Sequence, residues 1–152
     1  QLLIVKKDIS SCKTIIKEGL LKVFAPINMQ VSSNECQAYI RQAIEHTWRR
    51  EAKELLPKRT AELAQKHGFK FNKVSIRNSK TRWGSCSYNN NINLSLHLMM
   101  LPNHLIDYVI LHELAHTKEK NHGIHFWKLL DEVSGNAKGL DKEVKQYRIG
   151  FY

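Results

Sequence analysis

Five residues constrain this chain more than any other feature: His112-Glu113-Leu114-Ala115-His116, set in a run of helical apolar spacing. After Pro102-Asn103, the positions Leu105, Ile106, Val109, Ile110 and Leu114 recur at three and four, so the motif belongs on a predicted helix. Residues four apart share a helix face, and two imidazoles placed so can reach one ion at roughly 2.0–2.1 Å. Glu113 lies one position on, at the edge of that face. It is displaced from the ligand set but well placed to hold a water beside the ion and take its proton. The same pattern arises by chance on surface helices. Here Tyr108-Val109-Ile110-Leu111 precedes it, so the motif should line the floor of a cleft. Two neutral imidazoles and a carboxylate in such a place need partners, and a cation supplies them.

A catalytic zinc takes three protein ligands and keeps one position open. Three residues compete for the third place. His122 lies six positions past His116, where Asn121 and Gly123 let the chain turn back. His125 opens the next predicted helix. Glu119 sits three positions past His116 but between Lys118 and Lys120, as a solvated charge would. His122 is favoured, which gives His112, His116 and His122 around one Zn2+ per chain, with Glu113 free to act as base.

The rest of the chain separates into a hairpin region (1–31), a helical region (32–68) and a zinc-binding core (69–152), read together as one α+β domain. Thr14–Lys17 and Leu20–Phe24 flank Glu18-Gly19 as a predicted β-hairpin that Ala25-Pro26 ends. Ser32 or Ser33 offers an N-cap to a long helix whose buried stripe runs from Cys36 to Leu56. Pro57 is expected to end or kink it, with a second short helix reaching His67-Gly68. Val74–Arg77 alternates as a strand. Ile92, Leu94, Leu96 and Leu98 alternate with Asn93, Ser95 and His97 as the clearest strand, where an extended peptide could pair along the edge. A further helix is expected from about Ile124 to Val133, ended by Ser134-Gly135-Asn136.

Composition limits the setting. No stretch approaches the roughly 20 apolar residues that span a bilayer, and the apolar run at Leu2–Val5 is too short for a signal peptide. Cys12, Cys36 and Cys86 are odd in number and widely spaced, as expected of reduced thiols in the cytoplasm. The net charge is +10, and all of it lies in residues 1–82, with 17 Lys+Arg against 7 Asp+Glu. A basic block of this kind suits an anionic partner such as nucleic acid, or simply a solvated face.

The segment from Ser79 to Trp127 resembles the YgjP-like metallopeptidases. Lys80-Thr81-Arg82-Trp83-Gly84-Ser85-Cys86-Ser87, Ile92-Asn93-Leu94, Ile106–Ile110, His112–His116, Asn121-His122 and Phe126-Trp127 carry the resemblance. It implies a zincin-like α+β fold, with a small mixed sheet packed on the metal-binding helix. It also implies His112, His116 and His122 as ligands and Glu113 as base. Kinship with SprT-like and WLM metalloproteases, which act on proteins crosslinked to DNA, adds interest to the basic half.

Several other residues carry two readings. Arg82 could bind a substrate carboxylate or a developing oxyanion, but suits a structural role better. Trp83, Phe126 and Trp127 read as core rather than substrate platform. Cys86 reads as a buried thiol rather than a fourth ligand. His46, His67, His97 and His104 read as surface or satisfied histidines, and nothing in the spacing of Tyr147 or Tyr152 assigns them a role. The function expected is zinc-assisted hydrolysis of a peptide bond. One alternative is a nucleic-acid-associated protease or binder whose DNA affinity falls steeply with salt. Another is a non-catalytic metal-binding protein, which Glu113→Gln would separate from an enzyme.

Overall fold

The computed structural model describes residues 1–17 and 19–149. They form two compact units, residues 1–50 and residues 51 onward. In the first, β1 (Leu2–Lys7), β2 (Lys13–Lys17) and β3 (Leu20–Pro26) make a sheet of order β1-β3-β2. β2 and β3 pair antiparallel, with Ile16 opposite Leu21 and Lys13 opposite Phe24. Gly19 follows β2 with φ +74°, and Glu18 lies outside the described residues. β3 does stop at Pro26. β1, unannounced by the sequence, pairs parallel to β3 from Leu2–Leu21 to Lys7–Pro26. Its burial does not alternate, with Leu2 and Leu3 exposed, so period-two reading cannot find it.

α1 spans Asn34–His67. Ser33 caps it, its Oγ accepting from the Cys36 amide at 3.3 Å. Leu21, Val23 and Ala25 of β3 bury against Cys36 and Ile40 of α1 to form the core of the first unit. Pro57 neither ends α1 nor starts a second helix, contrary to expectation. Proline withholds one amide from the carbonyl four residues back. That residue is Lys53, which is exposed, and water can serve its carbonyl.

In the second unit, β4 (Lys73–Arg77), β5 (Gly84–Cys86) and β6 (Asn91–Ser95) form a sheet of order β4-β6-β5. β4 runs parallel to β6, and β5 antiparallel to it. This corrects the sequence expectation twice. The strand predicted through Leu98 ends at Ser95, and Leu96–Met100 winds into a 3-10 turn whose first amides the Ser95 hydroxyl caps, accepting from His97. Leu96, His97 and Leu98 are all fully buried, so the alternation in sequence has no counterpart in space. Moreover β6 is the central strand. Both its edges are taken, and no peptide can pair with it; the outer strand on the motif's side is β5.

α2 (Asn103–Ala115), α3 (Ile124–Ser134) and α4 (Ala137–Val144) complete the second unit. α2 packs on β5 and β6, burying Leu105, Ile110 and Leu114 with Ile92 and Leu94 of β6. Arg59 of α1 grips Asp107 of α2 through two bonds of 2.7 Å. Gly135, at φ +79°, stops α3 in the left-handed cap that glycine adopts at no steric cost. α4, which has little apolar signal, follows at once, capped by Asn136. No helix among the described residues is long and apolar enough to cross a membrane, and the three cysteines are free.

Candidate metal centre

Packing decides the orientation of α2. Its apolar side is buried so completely that Glu113 goes with it, at 6% exposure, while His112 stays half-buried at the rim. The helix ends at Ala115, yet His116 keeps helical backbone angles and donates its amide to the His112 carbonyl at 3.3 Å. The four-residue spacing therefore survives the helix end, and the two imidazole centroids stand 5.1 Å apart.

Beyond His116 the chain tightens. Thr117 donates its hydroxyl to the Leu114 carbonyl at 2.6 Å, and the Glu119 amide returns to Ala115 at 2.9 Å. Lys120 reaches the Asn90 side chain at 2.5 Å, tying this loop to the turn between β5 and β6. A short bond from the Gly123 amide to the Asn121 carbonyl, 2.8 Å, then brings exposed His122 back over the end of α2. Its Nε2 lies 3.0 Å from Nε2 of His112 and 3.1 Å from Nε2 of His116.

These three nitrogens lie within 4.8 Å of one another, and among the described residues no other group of three or more His, Cys, Asp or Glu comes together so. Neither His125, which is exposed, nor the Glu119 and Cys86 side chains belong to the group. Glu119 contributes through its backbone instead. His116 Nδ1 lies 3.0 Å from the Glu119 carbonyl. A carbonyl only accepts, so Nδ1 carries the proton and Nε2 keeps its lone pair. Burial lowers the pKa of His112 to about 4, with His116 and His122 adding to the effect, and burial likewise lowers that of His116. A hydrogen bond through one Nε2 proton can satisfy only one of the two close contacts of His122, whereas a cation accepts all three lone pairs. Ligands of tetrahedral zinc at 2.0–2.1 Å stand roughly 3.3 Å apart, so the donor set fits a divalent ion.

Phe126 of α3 forms the floor. It is fully buried, stacks on His116 at 4.5 Å and 26°, and meets His112 and His122 edge-on at 4.9 and 4.7 Å. One ring thus braces all three imidazoles. It is core, as its apolar neighbours suggest, but core with a task.

Glu113 points away from the histidines toward β5. A Cβ built on Gly84 would stand 2.7 Å from both Cγ and Oε1 of Glu113. Only glycine allows that approach. Burial pushes the Glu113 carboxyl up to about 8, with the Arg82 charge opposing. Arg82 itself is exposed. The loop is tied down by backbone bonds, Ser95 donating its amide to Trp83 O at 2.8 Å and its hydroxyl to Ser79 O at 2.8 Å. Arg82, Gly84, Tyr108, His112, Glu113 and Asp141 border a cavity of about 220 Å3. The Tyr108 hydroxyl, in a side chain 3% exposed, has no partner among the described residues. Tyr108 and Asp141 carry no signature in sequence.

A family model described as YgjP-like, metallopeptidase domain, matches residues 9–147. The chain belongs to this family. Being a YgjP-like protein, it is a metallopeptidase, and the family implies a divalent metal and peptide or protein substrates. Two solved structures are similar to this YgjP-like chain. The metallopeptidase zymogen jannalysin of Methanocaldococcus jannaschii aligns with a TM-score of 0.52 at 23% identity, over 60% of this chain and 94% of its own. The metallopeptidase zymogen abylysin of Pyrococcus abyssi aligns with a TM-score of 0.50 at 20% identity, over 62% and 99%. At such identities they speak for the fold, a zincin-like α+β arrangement. Among curated proteins none matches the YgjP-like chain.

Proposed function

We propose that this metallopeptidase uses one zinc ion, held by Nε2 of His112, His116 and His122, and that Glu113 is its general base in peptide-bond hydrolysis. The observation that carries the reading is the meeting of three imidazole nitrogens, with His122 Nε2 at 3.0 Å from that of His112 and 3.1 Å from that of His116, next to a buried carboxylate. Zinc bound there would supply Lewis acidity, which lowers the pKa of a water to about 7 and polarises a carbonyl. Three neutral imidazoles leave the ion's full charge for that purpose and suit zinc among the divalent metals. The His116–Glu119 bond fixes the tautomer and ring angle of one ligand. Phe126 keeps the rings from turning out.

Glu113 does the proton work. Held against Gly84 in a largely dry place, its carboxylate takes a proton from the attacking water and later delivers it to the leaving amine. A carboxyl whose pKa is raised by burial is a better base than one in water. The substrate would lie extended along the outer edge of β5, which no strand among the described residues pairs with. Three free thiols suit a reducing compartment, and the cytoplasm is the setting we assign.

The test is metal content and hydrolysis measured together. Wild type should hold one zinc and cleave unstructured peptides. Glu113→Gln should hold the zinc and lose cleavage. If Glu113→Gln cleaves as well as wild type, the carboxylate is not the base.

A further inference from the structure

A second hollow lies beside the cavity that His112 borders. A groove of about 410 Å3 opens over the sheet of the second unit, bordered by Arg77, Arg82, Gly84, Ser85, Asn93 and Ser95 among others. Strand register explains its polarity. Asn93 pairs with Ser75 on one side and Ser85 on the other, and Ser95 pairs with Arg77, so these side chains share one face. The alternate positions Ile92 and Leu94 are fully buried beneath α2. The groove is therefore the polar face of a sheet whose other face bears the metal helix.

Two features give the groove a sign. No residue bordering it is acidic. Arg77 makes one bond, from Nε to Asn93 Oδ1 at 3.3 Å, which leaves its outer nitrogens toward solvent, and among the described residues no carboxylate pairs with Arg77 or Arg82. Two guanidiniums in a concavity with no acidic residue in its lining focus a positive potential there. The groove is also joined to the chemistry. Arg82 and Gly84 border both it and the smaller cavity that holds His112 and Glu113. A peptide lying along β5 passes from one to the other.

We infer that this groove is the subsite for an acidic stretch of the peptide substrate, with Asp or Glu side chains gripped by Arg77 and Arg82. The guanidinium fork matches a carboxylate with two parallel bonds. Ser85 and Asn93 can satisfy the peptide's remaining polar groups. The inference rests on the hydrolase reading above, since it gives that reaction a substrate class.

The experiment uses the full zinc-loaded chain and three peptide pools that differ only in carrying Asp/Glu, Asn/Gln or Lys at fixed positions, with products read by mass spectrometry. The acidic pool should show kcat/KM about tenfold above the neutral pool, mostly through KM, and the advantage should shrink as salt rises. Arg77→Gln should erase the preference, and Arg77→Glu should turn it toward the Lys pool. Neither should change kcat on the neutral pool, since Arg77 lies outside the catalytic machinery. Equal cleavage of acidic and neutral pools by wild type overturns the inference and leaves the hydrolase reading intact. Cleavage of no pool overturns both. Binding is read separately, with a fluorescent Glu-rich peptide on zinc-loaded Glu113→Gln. Displacement of that peptide by oligodeoxythymidine at lower concentration than by unlabelled peptide would assign the groove to nucleic acid instead.

Discussion

Gly84→Ala is the sharpest perturbation the structure offers, because one methyl group lands on the carboxylate proposed as base. The added Cβ would meet Glu113 Cγ and Oε1 at 2.7 Å and Cδ at 2.9 Å. Carbon atoms pack at about 3.5–4.0 Å, so relief needs a shift of roughly 1 Å. Glu113 is 6% exposed, so it can yield only by swinging its carboxylate into the cavity of about 220 Å3 beside it. Overpacking of this kind costs about 1–3 kcal/mol of stability. A catalytic group misplaced by about 1 Å loses on the order of 10²-fold in rate. The atoms the new methyl group would meet all belong to Glu113, so the proposed zinc ligands should keep their metal. Expected, then, are one zinc per chain, a melting point lower by several degrees, and kcat down about a hundredfold. Glu113→Ala provides the control. It removes Cγ, Cδ and Oε1, the atoms the new Cβ would meet, so Gly84→Ala should cost less stability in that background than in wild type. Equal costs in both backgrounds, or full activity in Gly84→Ala, would refute the reasoning.

Other consequences follow from the same geometry. Phe126→Ala removes the floor beneath three imidazoles; it should cost about 3–5 kcal/mol in urea denaturation and weaken zinc binding in a chelator competition. Unchanged affinity would mean the phenyl ring does not brace the ligands. Tyr108→Phe deletes a buried hydroxyl without a partner, so stability should hold or rise by roughly 1 kcal/mol; a drop of that size would reveal a partner. In metal-free protein, Glu113 keeps its proton up to about pH 8 when folded but loses it at about 4.5 when unfolded. The folded state binds more protons between those values, so this group makes stability fall as pH rises through that window, with the full loss present above pH 8. Metal-free Glu113→Gln should accordingly gain on wild type as pH rises from 5 to 8.5 in urea titrations. A constant difference would show that the carboxyl is not raised.

What sequence could and could not reveal follows from the kind of signal each element carries. α2 and α3 declare themselves through repeated apolar positions and a terminal Pro102 or Gly135, and β2–β3 through alternation around a glycine. β1 alternates in neither burial nor sequence. β5 is three residues long, too short for any period to register. Leu96 and Leu98 continue a pattern that the Ser95 cap breaks, because a hydroxyl bond to the His97 amide carries no periodic mark. Pro57 misleads for the opposite reason, since its penalty depends on whether Lys53 faces water. At the site, His112, Glu113 and His116 are legible because four-residue spacing maps directly onto a helix face. His122 needs the loop, and Asn121 and Gly123 only hint at its turn. The roles of Phe126, Gly84 and the Glu119 carbonyl are set by through-space contacts, for which sequence has no spacing rule.

X-ray absorption at the zinc edge, on protein loaded with one equivalent of zinc, tests the central claim most directly. The account predicts three imidazole nitrogens at about 2.0–2.1 Å plus one light-atom ligand from solvent, with one imidazole lost in His122→Ala. A sulfur shell at about 2.3 Å, as Cys86 would give, or a spectrum unaltered by loss of His122, would contradict it.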